Sequence, residues 1–164
     1  NMKKLIMLLA IATLSTTVFA ALPVLPGGDQ QEMLASSDSQ LADNKKIAYD
    51  FFRVVLRGLR LDSAPDYMHQ SYMQHNPNAA TGLDGFLDYF SAVLGDSEPP
   101  AVPDTLPGLV SIQAEGDYVT LSFVRDCVNN GQAYSTTWFD MFRIVDGKIA
   151  EHWDSAVMGG DSGC

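Results

Sequence analysis

The stretch DMFRIVDGKIAEHWD, residues 140–154, decides the fold of this protein. Apolar and polar side chains alternate on both sides of Asp146-Gly147, which is typical of two antiparallel strands joined by a tight turn. Side chains alternate between the two faces of a strand, so the register of this hairpin decides which of its carboxylates and imidazoles lie together.

Two registers are compatible with this hairpin. A three-residue loop at 145–147, with Gly147 in the left-handed conformation, pairs Asp140 with His152. Four side chains then share one face of the sheet: Trp138 (opposite Asp154), Asp140, His152 and Asp154. A two-residue Asp-Gly turn shifts the pairing by one residue, sets Asp140 opposite Trp153 and moves His152 to the other face. The sequence leaves this choice open.

The rest of the chain indicates helices followed by strands. Asp43 precedes a helical pattern through about Leu61, and Thr81 with Asp84 resembles a capping box before a second helix. A brief strand is predicted at 71–77. Three further strand-like segments end at Gly-Asp, Asn-Asn-Gly and Asp-Gly turns: LVSIQAEG, YVTLSFVRDCV and AYSTTWFDMFRIV. This order predicts the α+β class, with N-terminal helices packed on a curved antiparallel sheet.

The N-terminal twenty residues have the pattern of a signal peptide. Lys3 and Lys4 precede an apolar run, and Val18 and Ala20 occupy the positions that a signal peptidase reads. We therefore expect export from a bacterial cytoplasm to the periplasm or beyond. Residues 21–42 mix Pro, Gly, Ser and acidic residues without a period, which predicts a linker.

The charge and the cysteine content of the chain argue against several classes of function. Cleavage after residue 20 removes two lysines and no acidic residue, so the net charge changes from −10 to −12. Such a charge repels phosphate backbones and anionic lipids, so we expect no nucleic-acid partner and no membrane binding after cleavage. The absence of a CxxC motif argues against a redox enzyme. Cys127 and Cys164 either pair in an oxidising compartment or remain a buried cysteine and a free terminal thiol.

Several segments together resemble one family. YMQHNP at 72–77, Gly82, Gly116-Asp117 and residues 140–154 are similar to SnoaL-like proteins. These are relatives of polyketide cyclases in the nuclear transport factor two-like superfamily, and the similarity points to the branch labelled predicted aldol-condensation enzymes. The resemblance implies a cone-shaped α+β barrel around an apolar pocket at residues 43–158, a flexible tail at 159–164, no metal or organic cofactor, and a homodimer.

Two positions depart from the family pattern. Leu121 or Ser122 stands where family members often carry a histidine, in the strand that follows Gly-Asp. Val157 stands where many relatives have Gln or Asp. In family enzymes that act on polyketides, a His and an Asp in the pocket serve as acid and base, and both differences weaken the transfer of this mechanism to the present chain.

The hairpin and the resemblance together predict a site. The predicted catalytic residues are His75, Asp140, His152 and Asp154. The predicted substrate contacts are Tyr72, Gln74, Trp138, Phe142 and Trp153. Removing a proton beside a carbonyl needs a base whose pKa lies near the working pH, and the enolate needs a hydrogen-bond donor, which we expect from His75, Tyr72 or Gln74. Three histidines without HExxH or a close His/Cys cluster predict no metal site.

Structural roles are alternatives for the same residues. His75 lies at a strand end, where it can equally form a structural hydrogen bond. Asp154 can cap a turn, and Arg143 can form a cross-strand pair with Glu151. The aromatic residues are also compatible with an ordinary core.

Three functions remain open. The first is a cofactor-free cyclase, isomerase or hydratase acting on a small apolar carbonyl compound. The second is a non-catalytic periplasmic module that binds a hydrophobic small molecule. The third is an interaction domain whose core is filled. An open cavity lined by His75 and Asp140 distinguishes the first two from the third.

Overall fold

The computed structural model describes residues 22–159. Its helices are α1 (Gln30–Leu34), α2 (Ser39–Phe51), which continues as a π-helix (Phe52–Arg57), a 3-10 turn (Leu61–Ser63), α3 (Ala64–Tyr67) and α4 (Gly82–Leu94). Its strands are β1 (Met68–Gln74), β2 (Leu109–Glu115), β3 (Tyr118–Asn129), β4 (Gln132–Val145) and β5 (Lys148–Asp154). They form one five-stranded sheet in the order β1-β5-β4-β3-β2. Helices packed on a curved sheet confirm the predicted α+β class.

The sheet is antiparallel except at one edge. Strand β1 runs parallel to β5, so that Gln74 lies beside His152. The inner face of the sheet packs against α2, the π-helix and α4 through fully buried residues such as Phe51, Val55 and Phe142. Burial of such side chains stabilises the fold by about 1.5–3 kcal/mol each.

The helical region begins earlier than predicted. Asp38, not Asp43, caps α2, because its carboxylate accepts hydrogen bonds from the backbone N–H groups of Gln40 (2.9 Å) and Leu41 (3.3 Å). Helix α1 already packs on the core through Met33 and Leu34. The predicted linker at 21–42 is therefore wrong for residues 30–34 and 39–42, which are helical.

The start of α4 is held by β1 and not by a capping box. The Thr81 hydroxyl donates to the carbonyl of Tyr72 (3.0 Å) and accepts from the backbone N–H of Gln74 (3.2 Å). Asp84 accepts instead from the side chain of Gln70 (3.0 Å). The capping-box prediction is wrong, and Thr81 ties the helix to the strand that carries two of the predicted site residues.

The last hairpin combines the two-residue turn with a bulge. Asp146 and Gly147 both have positive φ, 47° and 73°, and Val145 pairs with Lys148. The pairing then shifts at Ala150, which has no partner. The three-residue loop and its predicted pairs, Asp140–His152 and Trp138–Asp154, are therefore wrong.

The bulge nevertheless returns the expected side chains to one face. Beyond it, Asp140 lies opposite Asp154 and Phe142 opposite His152. Directly opposed residues point to the same side of a sheet, so Asp140, His152 and Asp154 share the inner face as predicted.

Some predictions fall outside the described residues. The signal peptide, the tail beyond residue 159 and therefore the pairing of Cys127 with Cys164 stay predictions. Cys127 itself is buried. Between residues 22 and 159, no helix has the length and the apolar character needed to cross a membrane.

Candidate active site

A cavity of about 170 Å³ lies between the helices and the inner face of the sheet. One part of its wall is apolar and mainly aromatic, formed by Phe51, Leu56, Phe86, Tyr89, Phe90 and Phe142. The other part is polar, formed by Tyr72, Gln74, Asn76, Asp140, His152 and Asp154. The side chains therefore leave an open space, and the hypothesis of a filled core is wrong.

Three strands bring the polar side chains together. Asp140 comes from β4, His152 and Asp154 come from β5, and Gln74 ends β1 beside His152. The ring of Phe142 stacks on the imidazole of His152, with centroids 4.7 Å apart and planes at 18°. This packing fixes the orientation of the imidazole at the border between the apolar and the polar wall.

The hydrogen bonds of His152 determine its tautomer. Its Nδ1 lies 3.0 Å from Oε1 of Gln74. That oxygen also accepts the backbone N–H of Asn76 at 3.0 Å, which only an oxygen can do. Gln74 is therefore an acceptor at this end of its amide, and Nδ1 of His152 carries a proton.

The second nitrogen of His152 shares a proton with Asp140. Nε2 lies 3.1 Å from Oδ1 of Asp140, and the two residues are only 8% and 6% exposed. In a neutral histidine of this tautomer, Nε2 carries no proton and can only accept, and the oxygens of an ionised aspartate can also only accept. The contact therefore requires one proton between the two atoms. The pair is either imidazolium with carboxylate or imidazole with carboxylic acid. It can therefore take up or release a proton inside the cavity.

Asp154 is oriented by two donors. Its Oδ2 accepts from the Asn76 side chain at 2.6 Å, and its Oδ1 accepts from the backbone N–H of Ala156 at 2.9 Å. The second contact confirms that Asp154 caps a turn. The residue also forms part of the cavity wall, so the structural role does not remove it from the site.

Tyr72 offers a hydrogen-bond donor to the cavity. Its hydroxyl accepts from Nε2 of Gln74 at 2.9 Å, which leaves its own proton available. Burial raises the pKa of the Tyr72 phenol far above its usual range, and the negative charges of Asp154 and Asp140 add to this effect. The phenol therefore keeps its proton at every physiological pH.

The same cluster has the composition of a metal site. Among residues 22–159, Asp140, His152 and Asp154 form the one group of three such side chains whose ligand atoms all lie within 4.8 Å of one another. However, His152 bonds Gln74 through one nitrogen and Asp140 through the other. A metal ion would have to displace the proton shared with Asp140, so the arrangement fits proton transfer better than metal binding. The absence of a metal stays a prediction.

His75 lies on the other face of the sheet. Its Nε2 is 2.8 Å from Oε1 of Glu151, its ring stacks on Trp153 at 4.8 Å, and its side chain is 43% exposed. Glu151 also accepts from Arg143 at 2.8 Å, as the predicted cross-strand pair requires. The prediction that His75 and Trp153 face the cavity is wrong, because Gln74 and His75 are adjacent and Gln74 points inward.

Trp138 shares the face of Asp140 but does not line the cavity. It borders a neighbouring open groove, where the guanidinium of Arg125 lies 4.1 Å from the centre of its ring. The cavity thus brings together six of the nine predicted site residues: Tyr72, Gln74, Asp140, Phe142, His152 and Asp154.

Several residues of the cavity wall were not predicted from the sequence. Asn76 belongs to the QHNPN segment, so its amide was a visible signal. Phe86 and Phe90 are spaced one helical turn apart on α4, and their rings contact at 4.6 Å. Their pattern is the same as that of core residues, so no local signal distinguishes the two roles.

We expect that replacing His75 with Ala leaves the activity of the cavity within about twofold of the wild type, because the imidazole is outside it. Surface substitutions of this kind change stability by less than about 0.5 kcal/mol, and the loss of the contact to Glu151 adds at most about 1 kcal/mol. Steady-state rates and thermal unfolding of the His75→Ala variant measure both effects. A loss of activity above tenfold in a folded variant would restore His75 to the site.

Comparisons with known proteins agree on one fold. The SnoaL-like domain family matches residues 48–152. A candidate polyketide cyclase from Acidithiobacillus ferrooxidans has a similar structure, with 16% identity, a TM-score of 0.51, and coverage of 73% of this chain and 89% of that chain. A candidate polyketide cyclase from Bacillus cereus has 16% identity, a TM-score of 0.51, and coverage of 81% and 87%. No curated protein matches the chain significantly.

Proposed function

The chain belongs to the SnoaL-like family, and we propose that it is an exported, cofactor-independent enzyme of the cyclase, isomerase or hydratase kind. Its proposed substrate is a small apolar carbonyl compound. The observation that carries this proposal is the buried Asp140–His152 pair, which holds one proton at the edge of an aromatic cavity.

The proposed reaction begins with the pair as carboxylate and imidazolium. A carboxylate oxygen of Asp140 takes a proton from the carbon beside the substrate carbonyl, and the electrons of the broken C–H bond form the C=C bond of an enolate. Negative charge develops on the carbonyl oxygen. In a cyclisation, the enolate carbon then attacks a second carbonyl carbon of the same substrate, the π electrons of that C=O bond move to its oxygen, and this oxygen takes the proton from the pair. In an isomerisation, the proton returns from the pair to a different carbon. General acid–base catalysis of this kind typically contributes about 10²–10⁴-fold in rate.

Tyr72 is the proposed donor to the enolate oxygen. His75 lies on the other face of the sheet, and Gln74 already uses its amide to orient His152 and the Tyr72 hydroxyl. Tyr72 keeps its proton and lines the cavity, so a hydrogen bond from its hydroxyl can stabilise developing negative charge. Gln74 is thus a positioning residue.

The size and the lining of the cavity support a small apolar substrate. Its volume of about 170 Å³ is below the range of about 300–1,000 Å³ that is typical of pockets for drug-sized ligands. Aromatic rings from the helices and from β4 cover the part of the substrate that does not react. A ring of five or six atoms with one carbonyl group matches this space.

Hydrogen–deuterium exchange tests the proposal directly. We expect the wild-type protein in D₂O to label the carbons beside the carbonyl of small cyclic ketones, such as cyclohexanone, faster than buffer alone, as measured by NMR. The Tyr72→Phe variant should be slower by about 10²-fold, since it lacks one donor to the oxyanion. Tyr118→Phe is the matched control, because Tyr118 is 45% exposed on the outer face. Equal labelling by wild type and Tyr72→Phe would contradict the role of Tyr72.

Binding without turnover is the second candidate function. Leu121 or Ser122 stands where family members often carry a histidine, and Leu121 is fully buried opposite Asp140. This role would be favoured if a hydrophobic ligand binds and its carbon-bound protons exchange with D₂O no faster than in buffer alone.

Location and assembly are proposed from the sequence. Export rests on the leader pattern of residues 1–20, and N-terminal sequencing of mature protein should begin at Ala21. A homodimer is proposed because the family resemblance implies one, and the exposed Met73 on the outer face of the sheet supports it. Light scattering that gives the mass of one chain would contradict the dimer.

A further inference from the structure

A second concavity adjoins the cavity on the inner face of the sheet. It is an open groove of about 400 Å³, and it shares Leu56 and Asp140 with the cavity. The π-helix supplies one side of the groove, and β3 and β4 supply the other: Phe52, Leu56 and Arg57 face Phe123, Arg125 and Trp138. The two spaces therefore meet at Leu56 and Asp140.

Two arginines give the groove a positive charge. The guanidinium of Arg57 lies 5.7 Å and 5.8 Å from the ring centres of Phe52 and Phe123, and that of Arg125 lies 4.1 Å from Trp138. Arg53 and Arg143 pair with Asp50 and Glu151. Within residues 22–159, Arg57 has no carboxylate at ion-pair distance. Its exposed guanidinium is thus held against aromatic rings with hydrogen-bond donors left for a ligand.

The groove contains arginine side chains, whereas the cavity does not. The cavity wall contains two carboxylates, Asp140 and Asp154, and no lysine or arginine. The whole chain has a net charge of −10, so the protein attracts an anion only at a local positive site. A planar guanidinium matches a carboxylate by two parallel hydrogen bonds, which makes it a selective partner for this group.

We propose that Arg57, which lies against Phe52 and Phe123, is a subsite for a carboxylate on the substrate, while the apolar carbonyl portion of the same molecule occupies the cavity. The location of the reacting portion rests on the proposed function, whereas carboxylate binding in the groove does not. The substrate class is thus a small cyclic ketone with a short side chain that ends in a carboxylate. The side chain has to pass Asp140, which places the ring carbons beside the acid–base pair.

A matched pair of probes tests the subsite. The probe is 3-(2-oxocyclohexyl)propanoate, and the comparison is its methyl ester, which has the same ring and chain without the charge. We expect the acid to bind the wild-type protein about tenfold more tightly than the ester in 50 mM salt, as measured by calorimetry or NMR titration. This ratio corresponds to one charge-assisted hydrogen-bonded contact.

Two variants identify the residue responsible. Arg57→Gln should reduce the affinity for the acid to that for the ester and change the affinity for the ester by less than twofold. Arg60→Gln is the matched control, since it removes the same charge from the same segment and the Arg60 side chain donates to the carbonyl of Gly58 outside the groove. It should change the affinity for the acid by less than twofold. An equal loss in both variants would indicate a general charge effect and overturn the subsite.

A measurement on the wild-type protein alone tests the proposal even if a variant does not fold. The preference for the acid should shrink at least threefold between 50 and 500 mM salt, while the ester binds equally at both concentrations, because salt screens an exposed ion pair. Equal affinities of acid and ester for the wild type at 50 mM salt would refute the proposal without any variant.

Deuterium labelling of the same probe separates this proposal from the proposed function. If the acid binds through Arg57 but its ring carbons are labelled no faster than in buffer, the subsite stands and the reaction fails. If labelling depends on Asp140 while acid and ester bind alike, the reaction stands and the subsite fails.

Discussion

We expect the Asp140→Asn variant to label cyclic ketones with deuterium about 10²–10⁴-fold more slowly than the wild type, which is the usual contribution of a positioned base. Asparagine has nearly the same shape, and its amide can still bond His152. It cannot accept a proton from carbon, and it cannot share a proton with Nε2 as the carboxylate does over 3.1 Å. The rate constant for labelling, measured by NMR in D₂O, gives the effect directly.

A second carboxylate provides the control for this experiment. Asp126 is exposed on β3 outside the cavity wall, so Asp126→Asn removes the same charge and should keep the wild-type rate within about twofold. His152→Gln tests the other member of the pair and should lose a comparable factor. If folded Asp140→Asn and His152→Gln both retain more than a third of the wild-type rate, the proposed reaction is wrong.

We expect the Phe142→Ala variant to have a free energy of unfolding lower by about 3–5 kcal/mol, the usual effect of removing a buried phenylalanine. Phe142 is 1% exposed, and its ring contacts Phe51 edge-on at 5.7 Å and stacks on His152 at 4.7 Å. The substitution leaves a cavity between the helices and the sheet and removes the support of the imidazole. Urea unfolding followed by circular dichroism measures the change.

Phe139 gives a matched comparison on the same strand. It is 48% exposed on the outer face, so Phe139→Ala should lower the unfolding free energy by less than about 1 kcal/mol. Phe142→Leu fills part of the space and should lie between wild type and Phe142→Ala. A loss below about 1 kcal/mol for Phe142→Ala would mean that this ring does not support the core as the structure shows.

Much of the fold follows from local patterns. The alternation of side chains in residues 140–154, with an Asp-Gly turn between them, was sufficient to predict a hairpin. The four C-terminal strands and the start of α4 near Thr81 were predicted for the same reason. The N-terminal boundary was missed, although Asp38 in the SSDSQ segment is a recognisable helix cap.

Other features depend on contacts between distant residues. The parallel pairing of β1 with β5 joins Gln74 to His152 across 78 positions of the chain. The π-helix at 52–57, which forms one side of the groove, has no distinctive sequence and only becomes visible in the hydrogen bond from Gly58 to Arg53. Neither feature can be derived from a window of neighbouring residues.

Local sequence thus determined the class of the fold, its hairpins and the presence of acid–base residues in the final strands. Tertiary structure decided which of those residues meet. A strand exposes neighbouring side chains to opposite faces, so a shift of one residue exchanges the inner and the outer set. Here the bulge at Ala150 kept Asp140, His152 and Asp154 inside, and the pairing of β1 with β5 turned Gln74 inward and His75 outward. The energy that selects these registers comes from burial of the whole inner face against the helices, which no short segment contains.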